Sequence, residues 1–163
     1  MSSIKNKNPK IFLIAGSTGG HALPILELTQ KLSANDCRVL VFISGSRIEK
    51  TIFNRFSTVK ILSGRLYRHQ RIKNIAGTLL TGLGFVQVLI YMLFNRPRLI
   101  VAKGGFLAVP ILYAAKILNI PFMCHESDSI IGLANKIFLK SAKKFFVGFP
   151  KNTYSEKLPS KVE

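Results

Sequence analysis

Ile11-Phe12-Leu13-Ile14-Ala15-Gly16-Ser17-Thr18-Gly19-Gly20-His21 is the stretch on which the fold turns. A short apolar run ends in a glycine-rich turn, and a helical pattern with Pro24 in its first turn follows. That order reads as a buried strand, a tight loop and a helix. Glycine permits positive φ and lets backbone approach a ligand closely. The loop N–H groups and a helix N-terminus, carrying about half a positive charge, make a seat for phosphate or pyrophosphate. The spacing Gly16-x-x-Gly19-Gly20 is neither GxGxxG nor a P-loop, because no Gly-Lys-Ser/Thr closes it. A plain strand-to-helix turn is the alternative reading.

Outward from this stretch the same alternation repeats. Strands are predicted at Lys10 to Ala15, Arg38 to Ile43, Thr58 to Leu62, Arg98 to Ala102, Pro121 to Cys124 and Lys144 to Val147. Helical segments fall at Ala22 to Ala34, Arg47 to Phe56, Ala108 to Leu118 and Ile130 to Lys140. Strands dense in Val, Leu and Ile are those of a sheet covered on both faces. The expected fold is α/β, a doubly wound, Rossmann-like parallel sheet. Right-handed crossovers put every strand-to-helix loop on one edge, where ligands bind. Three unusual loops should meet there: Gly16 to His21, Lys103 to Phe106, and His125 to Asn135. Residues 1–9 read as a disordered lead-in and 10–150 as the domain. Residues 151–163 read as a polar tail that loses structure, or as the start of an interdomain linker.

A chain of 163 residues suffices for one α/β domain with a real core. It carries 24 Lys and Arg against 7 Asp and Glu, a net charge of +17, with no acid between Glu49 and Glu126. Such a block suits nucleic acid, an anionic membrane or a polyanionic substrate. Nucleic acid is disfavoured, because Tyr and Phe lie in apolar runs rather than among the basic residues and no nucleic-acid motif is present. Cys37 and Cys124 sit in apolar, strand-like runs without metal-ligand spacing, which fits buried thiols in a reducing compartment and no metal site. The run Ile11 to Ala15 is too short for a signal-peptide core.

Asn74 to Asn95 carries no charge. As a helix it would be about 33 Å long, enough to span a bilayer. Apolar residues surround it, so it is either buried or in lipid. A spanning helix would separate the first two glycine loops across the membrane, and a wholly buried core helix is the other extreme. The preferred reading is a helix packed on the sheet by its inner face, with its outer face dipping into the membrane surface. Ile75, Leu79, Leu80 and Leu83 would form that surface, with Arg65, Arg68, Arg71 and Lys73 beside it. Gly77, Gly82 and Gly84 weaken the helix.

Taken together these motifs resemble the MurG family, the peripheral membrane transferases of peptidoglycan synthesis, over their N-terminal domain. Gly16-Ser17-Thr18-Gly19-Gly20-His21 with Pro24 is similar to the family's GGTGGHxxP loop. Ser63-Gly64-Arg65 resembles its Ser-Gly-Leu-Arg segment, and Lys103-Gly104-Gly105-Phe106 with Pro110 its Gly-Gly-Tyr loop. His125-Glu126-Ser127-Asp128 with Gly132-Leu133-Ala134-Asn135-Lys136 resembles HEQN…GLxNK, and Phe149-Pro150 the closing Phe-Pro. The resemblance runs from about Lys10 to Pro150.

The resemblance implies the N-terminal half of a GT-B glycosyltransferase of family 28. Such enzymes move GlcNAc from UDP-GlcNAc to the C4 hydroxyl of MurNAc on lipid I, the undecaprenyl-diphosphate-linked MurNAc-peptide. They do so with inversion, without a metal or other cofactor, on the cytoplasmic face of the inner membrane. By the same resemblance Thr18, Gly19, Gly20 and Asp128 belong to the donor side. Asp128 departs from the family's Asn and Ser127 from its Gln, so a carboxylate here faces a sugar nucleotide. Gly16, Ser17, Lys103, Gly104, Gly105, His125 and Asn135 belong to the acceptor and pyrophosphate side.

His21 is the first candidate for the base that the acceptor hydroxyl needs; a phosphate contact or a helix cap are its other roles. Glu126 is the second, with bracing of the loop as its alternative. Gly104 and Gly105 would cradle a pyrophosphate by backbone N–H groups, and Lys103 with the loop arginines would neutralise it. His69 reads as solvated, and Asn135 as fixing its loop. The donor-binding C-terminal domain is the expected partner, in the same polypeptide or as a separate chain in a split transferase. Anionic membrane lipids are the other. A non-catalytic membrane-surface remnant is the contrasting class.

Overall fold

The computed structural model describes residues 8–16, 18–64, 71–155, 158–160 and 162–163, with the side chains of 71–74 excepted. Elements follow in the order β1 (Lys10–Ile14), α1 (Gly19–Ala34), β2 (Arg38–Ile43), α2 (Arg47–Ile52), β3 (Thr58–Lys60) and α3 (Arg71–Phe94). They continue with β4 (Leu99–Ala102), α4 (Ala108–Ile117), β5 (Phe122–Glu126), α5 (Leu133–Phe138) and β6 (Lys144–Val147). All six strands are parallel in the order β3-β2-β1-β4-β5-β6. The expected doubly wound α/β sheet is therefore present, and its order reverses between β1 and β4.

Strand alternation divides the core in two. Phe12, Ile14, Phe42, Ile100, Ala102, Phe122, Cys124 and Phe145 point to one face, under α3, α4 and α5. Ile11, Leu13, Val41 and Ile43 point to the other, under α1 and the end of α2. Phe12 and Phe42 meet edge to face at 5.1 Å between centroids, and Tyr91 of α3 closes on both. Register aligns Ile14 with Phe42 and Ala102, and Ala102 with Cys124. The carboxyl ends of β1, β2, β4 and β5 thus share one edge.

The long apolar helix buries one face on the core and leaves the other exposed. Val88 and Met92 are fully buried in the core, and Gly77 and Gly84 are buried too. Ile75, Leu79, Leu80 and Leu83 are 63%, 66%, 41% and 58% exposed, and Val86, Ile90, Leu93 and Phe94 continue the outer face. Gly84 has a packing reason: a Cβ there would come 1.7 Å from the Leu62 carbonyl oxygen. A Cβ on Gly64 would strike the backbone of Gly77. Glycines on one helix face let the segment after β3 lie directly on α3, and two polar side chains of the helix secure it. Thr81 Oγ1 accepts from Gly64 N at 3.1 Å, and Gln87 bonds Leu62 N and Lys60 O.

The segment after Pro150 departs from expectation. It makes a short 3-10 turn at Lys151–Thr153 and buries Tyr154, whose hydroxyl donates to the Asp128 carbonyl at 3.1 Å. Val162 is fully buried and bridges Phe145 in parallel at the β6 edge. Isolated apolar residues in a polar stretch thus return the chain to the core. The lead-in, Ser17, Arg65, Arg68 and His69 lie wholly or mainly outside the described residues, as do the side chains of Arg71 and Lys73.

Candidate active site

The three singled-out loops meet at the carboxyl edge of the sheet. His21 Nδ1 lies 3.1 Å from the Lys103 carbonyl oxygen, and Lys103 Nζ donates to the Gly20 carbonyl at 2.6 Å. These contacts join the loop after β1 to the loop after β4. Asn135, on α5, joins the third: its Nδ2 donates to the His125 carbonyl at 3.1 Å and to Glu126 Oε2 at 3.0 Å. It also sits against Gly104, where an added Cβ would come 2.8 Å from Nδ2. Ser63 adds a fourth tie, donating from Oγ to the Phe106 carbonyl at 3.1 Å.

Between them lies a cleft of about 410 Å³, lined by His21, Lys103, Gly105, Glu126, Asp128 and Asn135 among its polar groups. Phe106, Val109, Leu133 and Ile137 give it an apolar wall, and Gly64 and Thr81 bring in the β3–α3 connection. Thr81 and the apolar wall were not legible as site residues, since Thr81 sits inside an uncharged helix and the others look like core.

The glycines serve different ends. Gly104 and Gly105 take φ of +75° and +81°, the left-handed region that favours glycine. Among Gly16, Gly19 and Gly20 none has positive φ, against the expectation for the first loop. Gly16 is required by its neighbour, because a Cβ there would lie 2.2 Å from His21 Cβ. Gly19 and Gly20 open α1 after the N-cap Thr18, and a Cβ on either would meet nothing within 4 Å. The fold itself does not need these two glycines. The first N–H groups of a helix have no intrahelical partner, and no acid occupies the first turn of α1.

Glu126 is 5% exposed with both oxygens engaged: Oε1 accepts from Asp128 N at 3.1 Å, and Oε2 accepts from Gly132 N at 2.8 Å besides Asn135. Asp128 is exposed at the cleft. Thr18, Gly19 and Gly20 flank the cleft beside His21 without lining it. His125 faces the other way, as alternation in β5 requires. It lines an apolar groove with Met123 and Phe146 under α1, and only its carbonyl serves the cleft loops. Burial holds its imidazole below the usual histidine range, the Lys103 charge adds to this, and Glu126 opposes it.

A second carboxylate hub stands after β2. Glu49 is fully buried, takes hydrogen bonds from Ser44 and Ser46, and forms a capping box with Ser46. The Ser46-x-x-Glu49 spacing carried that signal. Among the described residues no three His, Cys, Asp or Glu side chains gather in a way that could hold a metal ion.

The arrangement offers backbone N–H groups, one buried ammonium and one imidazole around a cleft, a set suited to an anionic ligand with a hydroxyl to deprotonate. Comparison with known proteins places the chain in a family. The chain is 36% identical over 143 residues to the UDP-N-acetylglucosamine–N-acetylmuramyl-(pentapeptide) pyrophosphoryl-undecaprenol N-acetylglucosamine transferase of Lachnospira eligens, covering 86% of this chain and 40% of that protein. It is 35% identical over 150 residues to the transferase of the same name from Clostridium kluyveri, covering 91% and 42%. The chain thus spans about two fifths of the length of these relatives. The crystal structure of Acinetobacter baumannii MurG superposes with a TM-score of 0.79 at 22% identity, over 94% of this chain and 44% of that one. Residues 11–147 match the glycosyltransferase family 28 N-terminal domain. A six-stranded parallel Rossmann-like sheet, the gathered glycine loops and that match over most of the chain establish that this protein belongs to the glycosyltransferase family 28 N-terminal domain family.

Proposed function

We propose that the chain is the acceptor- and membrane-binding half of a transferase that moves GlcNAc from UDP-GlcNAc to lipid I, giving lipid II for peptidoglycan synthesis. The observation that carries the reading is the meeting of three glycine-bearing loops at a cleft whose rim includes α3, a helix with an exposed apolar outer face. That arrangement would set membrane and diphosphate chemistry side by side.

In this reading α3 lies in the cytoplasmic surface of the inner membrane, with Ile75, Leu79, Leu80 and Leu83 among the lipids and the basic residues that precede them in sequence available to anionic headgroups. The lipid-borne diphosphate rests on Gly104 and Gly105, near the Lys103 charge. His21 takes the proton from the acceptor C4 hydroxyl as that oxygen bonds to the anomeric carbon of GlcNAc; the bond from that carbon to the diphosphate breaks on the opposite side and UDP leaves with the electron pair, which inverts the centre without a metal. Glu126 serves as the brace of its loop, since each carboxylate oxygen is already engaged. Gly19, Gly20 and Asp128 approach the donor sugar nucleotide. The donor-binding half comes from the same polypeptide or from a separate chain, so the portion described here acts only in its presence.

The test uses vesicles containing anionic phospholipid and lipid I. The chain should sediment with them, and high salt should loosen it. Leu79→Asp with Leu83→Asp should abolish sedimentation. Lipid II should form only when a donor-binding domain is supplied. Turnover of UDP-GlcNAc by the chain alone would defeat the half-enzyme reading. Absence of any affinity for lipid I, with the donor half present, would defeat the acceptor reading.

A further inference from the structure

We propose that Lys103 is a positioning residue that holds His21 as the Nδ1–H tautomer, leaving Nε2 as the free base of the ring. The inference rests on His21 as the acceptor-side base and adds what sets its protonation.

A carbonyl oxygen only accepts. The ring nitrogen 3.1 Å from the Lys103 carbonyl therefore carries the proton, whether the imidazole is neutral or charged. In the neutral ring the lone pair is then on Nε2, in a side chain that lines the cleft. The contact exists only while residue 103 stays beside the first turn of α1, and it bridges 82 residues of sequence. The same residue supplies the second tie. Its ammonium, in a residue only 8% exposed, donates to the carbonyl of Gly20, the residue before His21. Lys103 thus grips Gly20 by its side chain and His21 by its main chain.

Two neighbouring features make the grip possible. Sheet pairing of β4 ends at Ala102, so the Lys103 carbonyl lies outside the ladder. Gly16 leaves room for the ring, because any Cβ there would overlap His21. A lysine is suited to the task, since a charge-assisted bond to a carbonyl is stronger than a neutral one.

Two-bond proton–nitrogen correlation spectra of the full chain, labelled with 15N-histidine, test this at alkaline pH. The His21 signals are assigned by their loss in His21→Gln. The wild type should show Nδ1 protonated and Nε2 bare. Lys103→Met keeps the carbonyl but loses the ammonium's hold on Gly20, and should lower the ratio of that tautomer to the other by about threefold or more; Lys103→Arg should restore part of it. If Lys103→Met does not fold, Lys103→Gln takes its place. A wild-type His21 protonated on Nε2 overturns the proposal, as does an unchanged ratio in the folded variant. The spectra need no donor domain or substrate. A missing transferase activity with the expected tautomer would count against the proposed reaction alone.

Discussion

Glu126 Oε2 and Asn135 Nδ2 lie 3.0 Å apart in a buried contact, and the loop between them is strung on that one carboxylate. Gly132 N donates to the same oxygen at 2.8 Å and Asp128 N to the other at 3.1 Å. Position 126 therefore sets the shape of the cleft wall before it does any chemistry.

Glu126→Ala removes both acceptor oxygens and leaves their three donors inside the wall. Each stranded donor costs about 1–3 kcal/mol, so the variant should lose about 2–5 kcal/mol in urea unfolding once partial relaxation is allowed. Glu126→Gln keeps the shape but turns an amide nitrogen toward a donor, and should lose about 1–3 kcal/mol. A residue acting solely as a base would leave the unfolding midpoint of Glu126→Gln where it was.

Gly19 and Gly20 behave in the opposite way. Both lie in the first turn of α1, in open space, without positive φ. Alanine is a better helix former than glycine by up to about 1 kcal/mol. Gly19→Ala and Gly20→Ala should therefore fold at least as stably as the wild type. If backbone approaches a diphosphate here, both should still weaken the binding of a sugar nucleotide in the complete transferase by about tenfold or more. Stable variants with unchanged affinity would mean that the turn merely starts a helix.

The sheet was legible because doubly covered parallel strands read as continuous apolar runs, as in Ile11 to Ala15. The convergence of the loops followed from crossover handedness, and His21 beside Lys103 is its direct outcome. What stayed hidden depends on partners distant in sequence. Gly84 reads as a flaw in a helix until Leu62 lies on it. Tyr154 and Val162 are single apolar residues in a polar tail, with no period to mark them as core. His125 and Glu126 adjoin in sequence, yet pleating sends their side chains to opposite faces. Only Glu126 reaches the cleft.

His125 gives a pH test with a definite sign. Burial is the main cause of its lowered titration, and the Lys103 charge is the second. The unfolded chain then binds a proton at higher pH than the folded one. Stability from this group is complete above the unfolded value of about 6.5 and falls as pH drops below it. The loss stops once the folded imidazole is protonated too. His125→Asn should flatten that part of the pH–stability curve. Lys103→Met should move the His125 titration upward in a proton NMR series, because one of the two lowering influences is gone. A titration that stays put would separate the two side chains electrostatically.

Gly82 and Gly84 make a matched pair on α3. They are two residues apart in one helix and share the same intrinsic helix penalty, about 1 kcal/mol against alanine. Their surroundings differ: a Cβ on Gly82 meets nothing within 4 Å, whereas one on Gly84 would come 1.7 Å from the Leu62 carbonyl oxygen. Gly82→Ala should thus raise stability by up to about 1 kcal/mol. Gly84→Ala must push the segment at Leu62 off the helix and strain the bonds that Gln87 makes to Leu62 N and Lys60 O. A loss of about 2–4 kcal/mol is expected, the range for overpacking together with weakened hydrogen bonds. The displacement should also reach the cleft, because Gly64 lines it and Ser63 is tied to Phe106. Hydrogen exchange at Leu62 and Gly64 should quicken in Gly84→Ala and stay at the wild-type rate in Gly82→Ala. Equal effects from the two alanines would show that α3 does not carry the β3–α3 connection by close backbone contact.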